Sequence, residues 1–230
     1  MSESKQYRLE FIGKSPIIMH ADNISFSEKV TAWSKIPENK AFSKAGDDRT
    51  PAWTWIGYLY HDTKVVGIPS DNIMTSLMEA GAKVPVPGKS RETFKRYVAS
   101  GLTTDSFQFD FYFGDKYKKQ LKMADISDLL ENAIDFSEHE KRAEKLGFEL
   151  FVKRAAIMRA KHVRVRPLFR NWKAVGTITV FDEETSGLTR EMLERILRQC
   201  GNYVGLCDWR PSSPCASGSY GRFDTIIKEL

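Results

Sequence analysis

The segment GNYVGLCDWRPSSPCASGSYGRF, residues 201–223, decides how the whole chain is interpreted. It contains four glycines, two prolines and two of the three cysteines of the chain. Glycine weakens helices and strands because it loses more backbone entropy on folding, and proline removes a backbone hydrogen-bond donor. The segment therefore predicts a loop, either a slack one or one whose backbone is shaped to hold a ligand.

Two helices are predicted from their end signals and apolar spacing. Thr189 is positioned to cap a helix that Gly201 ends, directly before the glycine-rich loop. Earlier in the chain, Ser70 is positioned to cap a helix that Gly81 ends. The loop thus follows the second of two amphipathic helices.

Alternating and continuous apolar runs predict four core strands. These lie at residues 7–19, 148–158, 172–181 and 221–230. Together with the helices they give the order strand, helix, strand, strand, helix, strand. This order predicts an α+β fold with a ferredoxin-like (RRM-like) β-α-β-β-α-β core.

The remaining sequence is interpreted as two large insertions in a single domain spanning residues 1–230. The first insertion covers about 20–66, where the aromatic run at 51–62 predicts a strand or hairpin. The second covers about 83–147 and includes an alternating, strand-like run at 106–113. The sequence shows no internal repeat and no low-complexity tract.

Composition excludes several classes of protein. No apolar run approaches the ~20 residues of a membrane-spanning helix, and no hydrophobic signal core follows the first methionine, so we expect a cytoplasmic protein. The cysteines are not spaced in CxxC pairs, which favours reduced thiols over a zinc site. Neither a P-loop nor a dinucleotide-binding fingerprint is present. We therefore expect no cofactor and no metal.

The net charge of +5 arises from one part of the chain. Residues 150–181 contain no Asp or Glu but eight Lys and Arg, whereas acidic residues outnumber basic ones elsewhere. If the segment is extended, His162, Arg164 and Arg166 lie on one face, and Pro167 predicts a bend or an edge strand. A local concentration of positive charge is typical of a surface that binds an anionic ligand.

Three short motifs resemble the RAMP superfamily of CRISPR-associated proteins. They are SPIIMH at 15–20, GIPSDNIMTSLMEAG at 67–81 and GLCDWRPSSPCASGSYGRF at 205–223. The chain is most similar to the backbone subunit that polymerises along guide RNA. The resemblance implies RNA binding through the sheet side, the glycine-rich loop and basic insertions, without catalysis, within an oligomeric antiviral ribonucleoprotein. The chain equally resembles a phage or plasmid relative that coats single-stranded nucleic acid without any CRISPR partner.

The predicted site combines cations, which bind phosphates, with aromatic rings, which stack on bases. Phe169 and Trp172 are interpreted as aromatic residues interleaved with the basic segment. Trp209, Arg210 and Arg222 of the glycine-rich loop are expected to touch the same strand of nucleic acid as Arg164 and Arg166 of the basic segment. The nucleic-acid-binding residues predicted from the sequence are Lys153, Arg154, Arg159, Lys161, His162, Arg164, Arg166, Arg170, Lys173, Trp209, Arg210, Tyr220 and Arg222.

Other functions stay open at this point. A metal-independent endoribonuclease would use His162 or His20, because the pKa of histidine lies near neutrality. A phage protein that binds single-stranded DNA, or a structural assembly subunit whose basic segment docks an acidic protein, fits the same charge pattern. The basic segment and the glycine-rich loop could also be an ordinary solvated hairpin and a plain connection.

Overall fold

The computed structural model describes residues 4–157, 160–214 and 217–230 and has an α+β fold with antiparallel sheets. The helices are α1 Ile24–Lys35, α2 Ser70–Gly81, α3 Lys95–Gly101, α4 Phe136–Leu146, α5 Glu183–Ser186 and α6 Arg190–Gln199. The strands are β1 Lys5–Gly13, β2 Ile17–Ile18, β3 Gly67–Pro69, β4 Leu102–Thr104, β5 Gln108–Phe113, β6 Glu149–Ile157, β7 Ala160–Phe169, β8 Trp172–Val180 and β9 Phe223–Glu229.

The chain forms two compact units, each assembled from separate segments of sequence. Unit 1 comprises the residues up to Ile17 together with Gly67–Lys119 and Arg170–Leu230. Unit 2 comprises Ile18–Val66 and Gln120–Phe169. The single domain with insertions at about 20–66 and 83–147 stays a prediction.

Unit 1 is built on a sheet with the strand order β3-β5-β8-β1-β9, to which β4 adds by pairing with β8. Along β1, every second residue is buried, namely Tyr7, Leu9 and Phe11. This alternation is what a strand with one buried face requires. Two amphipathic helices of the same unit, α2 and α6, bury their apolar residues, including Leu77 and Leu193.

The prediction of a core strand at 148–158 is wrong for this sheet. The segment forms β6, which pairs with β7 in a separate three-stranded sheet of order β2-β7-β6. The place beside β8 is taken by β5, whose Phe109, Phe111 and Phe113 are buried. Both segments have apolar patterns typical of strands, and such a pattern alone does not specify which strand a segment pairs with.

The helix-end predictions are partly confirmed. Thr189 caps α6, where its hydroxyl oxygen accepts a hydrogen bond from the Met192 N–H at 3.4 Å. Ser70 does not cap α2, because its hydroxyl donates instead to the carbonyl oxygen of Ser106. Gly201 does not end α6 either, since the chain continues through a π-helical turn, Cys200–Val204.

Pro167 lies within β7, the central strand, and the predicted bend or edge position is wrong. Pro167 lies opposite Leu150 of β6 in the strand register, and its carbonyl oxygen accepts a hydrogen bond from the Met19 N–H at 3.0 Å. The N and O of one strand residue point to the same side, so the missing donor of Pro167 faces the two-residue strand β2.

Residues 51–62 do not form the expected strand or hairpin but a 3₁₀ helix, Ala52–Tyr58. Its residues Ala52 to Gly57 are all buried. The stretch therefore shows neither the alternating burial of a strand nor the one-sided burial of an amphipathic helix. Trp55 donates through Nε1 to Nδ1 of His139 at 3.0 Å, and Nε2 of His139 lies 2.8 Å from the Asn132 carbonyl oxygen. Burial lowers the pKa of His139, which keeps the imidazole neutral between these two partners.

Candidate nucleic-acid interface

The β6–β7 hairpin of unit 2 carries most of the basic residues that the sequence singles out. Its register pairs Lys153 with Arg164 and Arg154 with Val163. Directly paired residues share a face of the sheet, so the hairpin presents one face with Lys153 and Arg164 and an opposite face with Arg154. Toward the hairpin end, Lys153, Arg154 and Lys161 are exposed.

The Arg154 face carries the exposed side chains of Val152, Arg154 and Lys161. Lys161 pairs with Ala156, so Arg154 and Lys161 are diagonal neighbours on this face, which is within the reach of long side chains. Neither forms a salt bridge within the described part of the chain. Val152 on the same face is 39% exposed. The face thus combines two uncompensated cations with apolar surface.

Arg164 and Arg166, on the other face, share one buried carboxylate. Asp48 accepts from Nη1 of Arg164 at 2.8 Å through Oδ1, and from Nη1 of Arg166 at 3.1 Å through Oδ2. The Val165 N–H donates to the same Oδ2 at 3.2 Å. The predicted His162, Arg164 and Arg166 face therefore exists, but its two arginines are held in an ion cluster that carries a net positive charge.

Asp48 reaches this cluster because its loop pairs with β7. The Val163 N–H donates to the Gly46 carbonyl oxygen at 2.8 Å, and the Asp48 N–H donates to the Val163 carbonyl oxygen at 2.9 Å. Gly46 has a φ of 75° and lies against the His162 imidazole, where a Cβ atom would collide. The sequence offered no signal for this role of Asp48, which resembled an ordinary loop acid.

The two candidate catalytic histidines have separate surroundings in unit 2. His20 lies edge-on against the Tyr58 ring at 4.9 Å, and the Arg166 guanidinium reaches its Nε2 at 3.2 Å. The same guanidinium stacks over the Tyr58 ring at 4.3 Å. Nδ1 of His162 is buried and has no hydrogen-bond partner among the described residues. Catalysis by either histidine stays a hypothesis.

A cleft of about 330 Å³ lies within unit 2 beside the Asp48 cluster. Helix α1 forms one wall, and the loop of residues 43–50 forms another. Tyr58 and Arg164 also line it. Helix α1 itself was not predicted, because none of its residues is buried and its apolar spacing is weak. The signal that could have revealed it is Asn23, whose side chain caps the Phe26 N–H at 3.1 Å.

The glycine-rich loop of unit 1 is a closely packed backbone. Gly221 has a φ of 69°, donates its N–H to the Pro16 carbonyl oxygen and accepts from the Leu206 N–H, at a place where a Cβ atom would collide with the Leu206 backbone. Trp209 and Tyr220 are stacked, with ring centroids 6.3 Å apart. The described part of the loop is therefore not slack, and a role of its backbone in holding a ligand stays a prediction.

Arg210 and Arg222 have structural partners inside unit 1. Arg210 donates through Nη2 to Oε1 of Glu79 at 2.6 Å, and Ser212 donates to the other carboxylate oxygen at 2.6 Å. Nη1 of Arg222 donates to the Asn202 carbonyl oxygen. Both arginines are half-buried, so each fixes the loop to its neighbours.

The remaining predicted residues differ in exposure. Arg170 is exposed, whereas Lys173 pairs with Glu10 at 3.4 Å and lies over the Tyr112 ring. Phe169 and Trp172 are fully buried, so their expected role as interleaved stacking residues is wrong. Trp172 instead donates through Nε1 to the Ser15 carbonyl oxygen at 2.8 Å. Arg159 lies outside the described residues.

The described thiols belong to the interior of unit 1. Cys200 and Cys207 are buried and unbonded to each other, and burial raises the pKa of both thiols. Cys215 lies outside the described residues. Within the described ranges, no group of three or more His, Cys, Asp or Glu side chains is arranged to hold a metal ion.

A scan against models of protein families and a search of curated proteins both find no match for this chain. Among the helices that the structure describes, none has both the length and the apolar character needed to cross a bilayer.

Proposed function

We propose that the protein binds single-stranded nucleic acid without catalysing a reaction on it, and that RNA is its ligand. The observation that carries the proposal is the pair of exposed cations Arg154 and Lys161 on one face of the β6–β7 hairpin, which has no Asp or Glu after Glu149. Backbone phosphates are the common anion that such a pair can neutralise in succession along an extended strand. The exposed Val152 beside them supplies apolar surface for a base or ribose.

The proposal includes a ferredoxin-like core and a relationship to the RAMP superfamily. Support for the core comes from the order β5-β8-β1-β9 in the sheet of unit 1. Along the chain these four strands occur in the order β1, β5, β8, β9, with α2 between β1 and β5 and α6 between β8 and β9. If they are numbered one to four in that order, their order across the sheet is two, three, one, four. A split β-α-β arrangement has this alternation of strands and helices. A guide-RNA ribonucleoprotein in the cytoplasm is the setting that this relationship implies.

The test is the salt dependence of binding to a labelled single strand. The slope of log K against log salt is negative, and each lost phosphate contact reduces its magnitude by about 0.7 for single strands. Fluorescence anisotropy with an oligouridine, measured between about 50 and 200 mM salt, should therefore give a slope whose magnitude is smaller by about 1.4 for Arg154→Ala/Lys161→Ala than for the wild type.

The matched control is Lys141→Ala/Lys145→Ala, which removes the same charge from exposed positions on α4 of the same unit. This control should leave the slope unchanged. If the wild type does not bind the oligouridine at low salt, or if both double variants reduce the magnitude of the salt slope equally, the proposal is wrong. Parallel titrations with oligodeoxythymidine and a duplex decide between RNA and DNA.

A further inference from the structure

The cleft of unit 2 has the size of a small-molecule site and a one-sided hydrogen-bonding character. Its volume of about 330 Å³ lies at the lower end of the range for ligand pockets, roughly 300–1,000 Å³. Hydroxyl groups line it from both walls and from the floor. They belong to Ser27, Thr31, Ser34, Ser43, Thr50 and Thr54.

Three of these hydroxyls already donate a hydrogen bond within the protein. Thr31 donates to the Ser27 carbonyl oxygen at 2.9 Å, Ser34 donates to that of Thr31 at 2.8 Å, and Thr54 donates to that of Pro51 at 2.6 Å. A hydroxyl that donates in this way keeps lone pairs for accepting. Their remaining capacity therefore favours a ligand that carries several N–H or O–H donors.

Among these six hydroxyls, that of Thr50 is the one whose oxygen, Oγ1, is buried and has no hydrogen-bond partner within the described part of the chain. A buried polar atom without a partner costs free energy, and a ligand group that reaches Oγ1 from the cleft would remove that cost.

The carboxylates of the cleft are neutralised, so the cleft does not select a cation. Asp47 accepts from Nε and Nη2 of Arg49 at 2.9 and 2.7 Å, and Asp48 is occupied by Arg164 and Arg166. The Arg164 side chain remains 31% exposed, and Lys44 joins it in the lining. The uncommitted charge is therefore positive, which suits one anionic group on an otherwise donor-rich ligand.

We infer that the cleft binds one nucleotide of the strand that the protein holds, with its phosphate at Arg164 and Lys44 and its base and ribose against the hydroxyl-lined walls. This inference rests on the proposed function for the identity of the strand. The surplus of acceptors selects bases with an exocyclic amino group, namely adenine and cytosine, over uracil. The 2′-hydroxyl of ribose is a further donor that the cleft can accept.

Isothermal titration calorimetry with AMP, CMP and UMP tests the inference directly. AMP or CMP should bind more tightly than UMP. Thr50→Val removes only the unpartnered hydroxyl and should weaken AMP binding about fivefold, the effect of one lost hydrogen bond, while leaving Tm unchanged or higher. Absence of AMP binding, or equal affinity of wild type and Thr50→Val, would overturn the inference.

A pair of variants on α1 supplies the steric test. Thr31→Trp fills the cleft from an exposed helix position and should weaken AMP binding by about tenfold or more. Ala32→Trp adds the same ring one residue along, outside the cleft lining, and should bind AMP as the wild type does. Equal AMP affinity of the two variants would also overturn the inference.

Failure of the proposed function has a different signature. Suppose that Thr31→Trp abolishes AMP binding, but the wild type has no affinity for oligoadenosine or oligouridine at low salt. This result would support the cleft as a nucleotide site and contradict the binding of a strand. If the protein binds both oligomers in a salt-dependent way and Thr31→Trp leaves this binding unchanged, the proposed function is supported. The inference that the cleft holds a nucleotide of the strand is then wrong.

Discussion

At the scale of the residue, Asp48 illustrates how a single side chain decides the state of several others. The sequence predicts Arg164 and Arg166 as phosphate ligands, yet both guanidinium groups bind this one buried carboxylate. A buried charge is stable only when it is paired and hydrogen-bonded. Asp48 therefore holds the guanidinium groups in place, and only the exposed fraction of Arg164 remains available to a ligand.

Removing this carboxylate should destabilise the protein strongly. Asp48→Asn removes the carboxylate charge that is paired with Arg166, which is 8% exposed, and the expected loss is about 3–5 kcal/mol in the free energy of unfolding by urea. Asp47→Asn makes the same change next to it, but its partner Arg49 is exposed, so the expected loss is about 1 kcal/mol or less. Equal losses for the two variants would show that Asp48 is not the centre of this cluster.

At the scale of the element, the hairpin and the loop that pairs with it show what local sequence can and cannot predict. The alternation along β7 correctly predicts an extended segment with His162, Arg164 and Arg166 on one face. Its neighbour in space, the loop of residues 43–50, has no pattern of its own. It joins β7 through backbone hydrogen bonds, which do not depend on side-chain type.

The requirement for glycine in this loop can be measured against a second glycine of the same backbone conformation. Gly46 and Gly88 both have a φ of 75°, but a Cβ atom collides with His162 only at Gly46 and meets open space at Gly88. Gly88→Ala should cost about 1–2 kcal/mol for the left-handed backbone alone. Gly46→Ala should cost measurably more in urea unfolding, and equal costs would show that the contact with His162 carries no energy.

At the scale of the whole molecule, the predicted site residues fall into two groups. Arg154, Lys161 and Arg164 belong to unit 2, whereas Trp209 and Tyr220 belong to unit 1. That one strand touches both groups stays a prediction from the sequence. Stacking of a base on an aromatic ring contributes about 1–3 kcal/mol, which is large enough to measure separately from phosphate contacts.

The length of the oligomer tests whether one strand engages both groups. Trp209→Leu should weaken binding of an oligouridine of about 20 nucleotides by an amount that corresponds to about 1–3 kcal/mol, and should leave the salt slope unchanged. With an oligomer of about four nucleotides bound at the hairpin, the same variant should have no effect. Tyr203→Leu, which changes an exposed aromatic residue in the π-helical turn Cys200–Val204, is the control. A Trp209→Leu effect that is the same for both lengths would contradict a shared strand.

The sequence by itself determined the features that depend on neighbouring residues along the chain. These are helix α2, the cap of α6 at Thr189, the first and last residues of β8 to within one position, and the concentration of positive charge at 150–181. Each follows from periodicity, a local hydrogen bond or composition.

Only the tertiary structure decided which strands pair, which aromatics are buried and which cations are balanced. It paired β6 with β7 instead of placing it beside β8, buried Trp172 in the core and brought Asp48 to Arg164 across more than a hundred residues of chain. The physical reason is that pairing, burial and charge compensation are contacts between residues distant in sequence, and neither composition nor local periodicity specifies a partner.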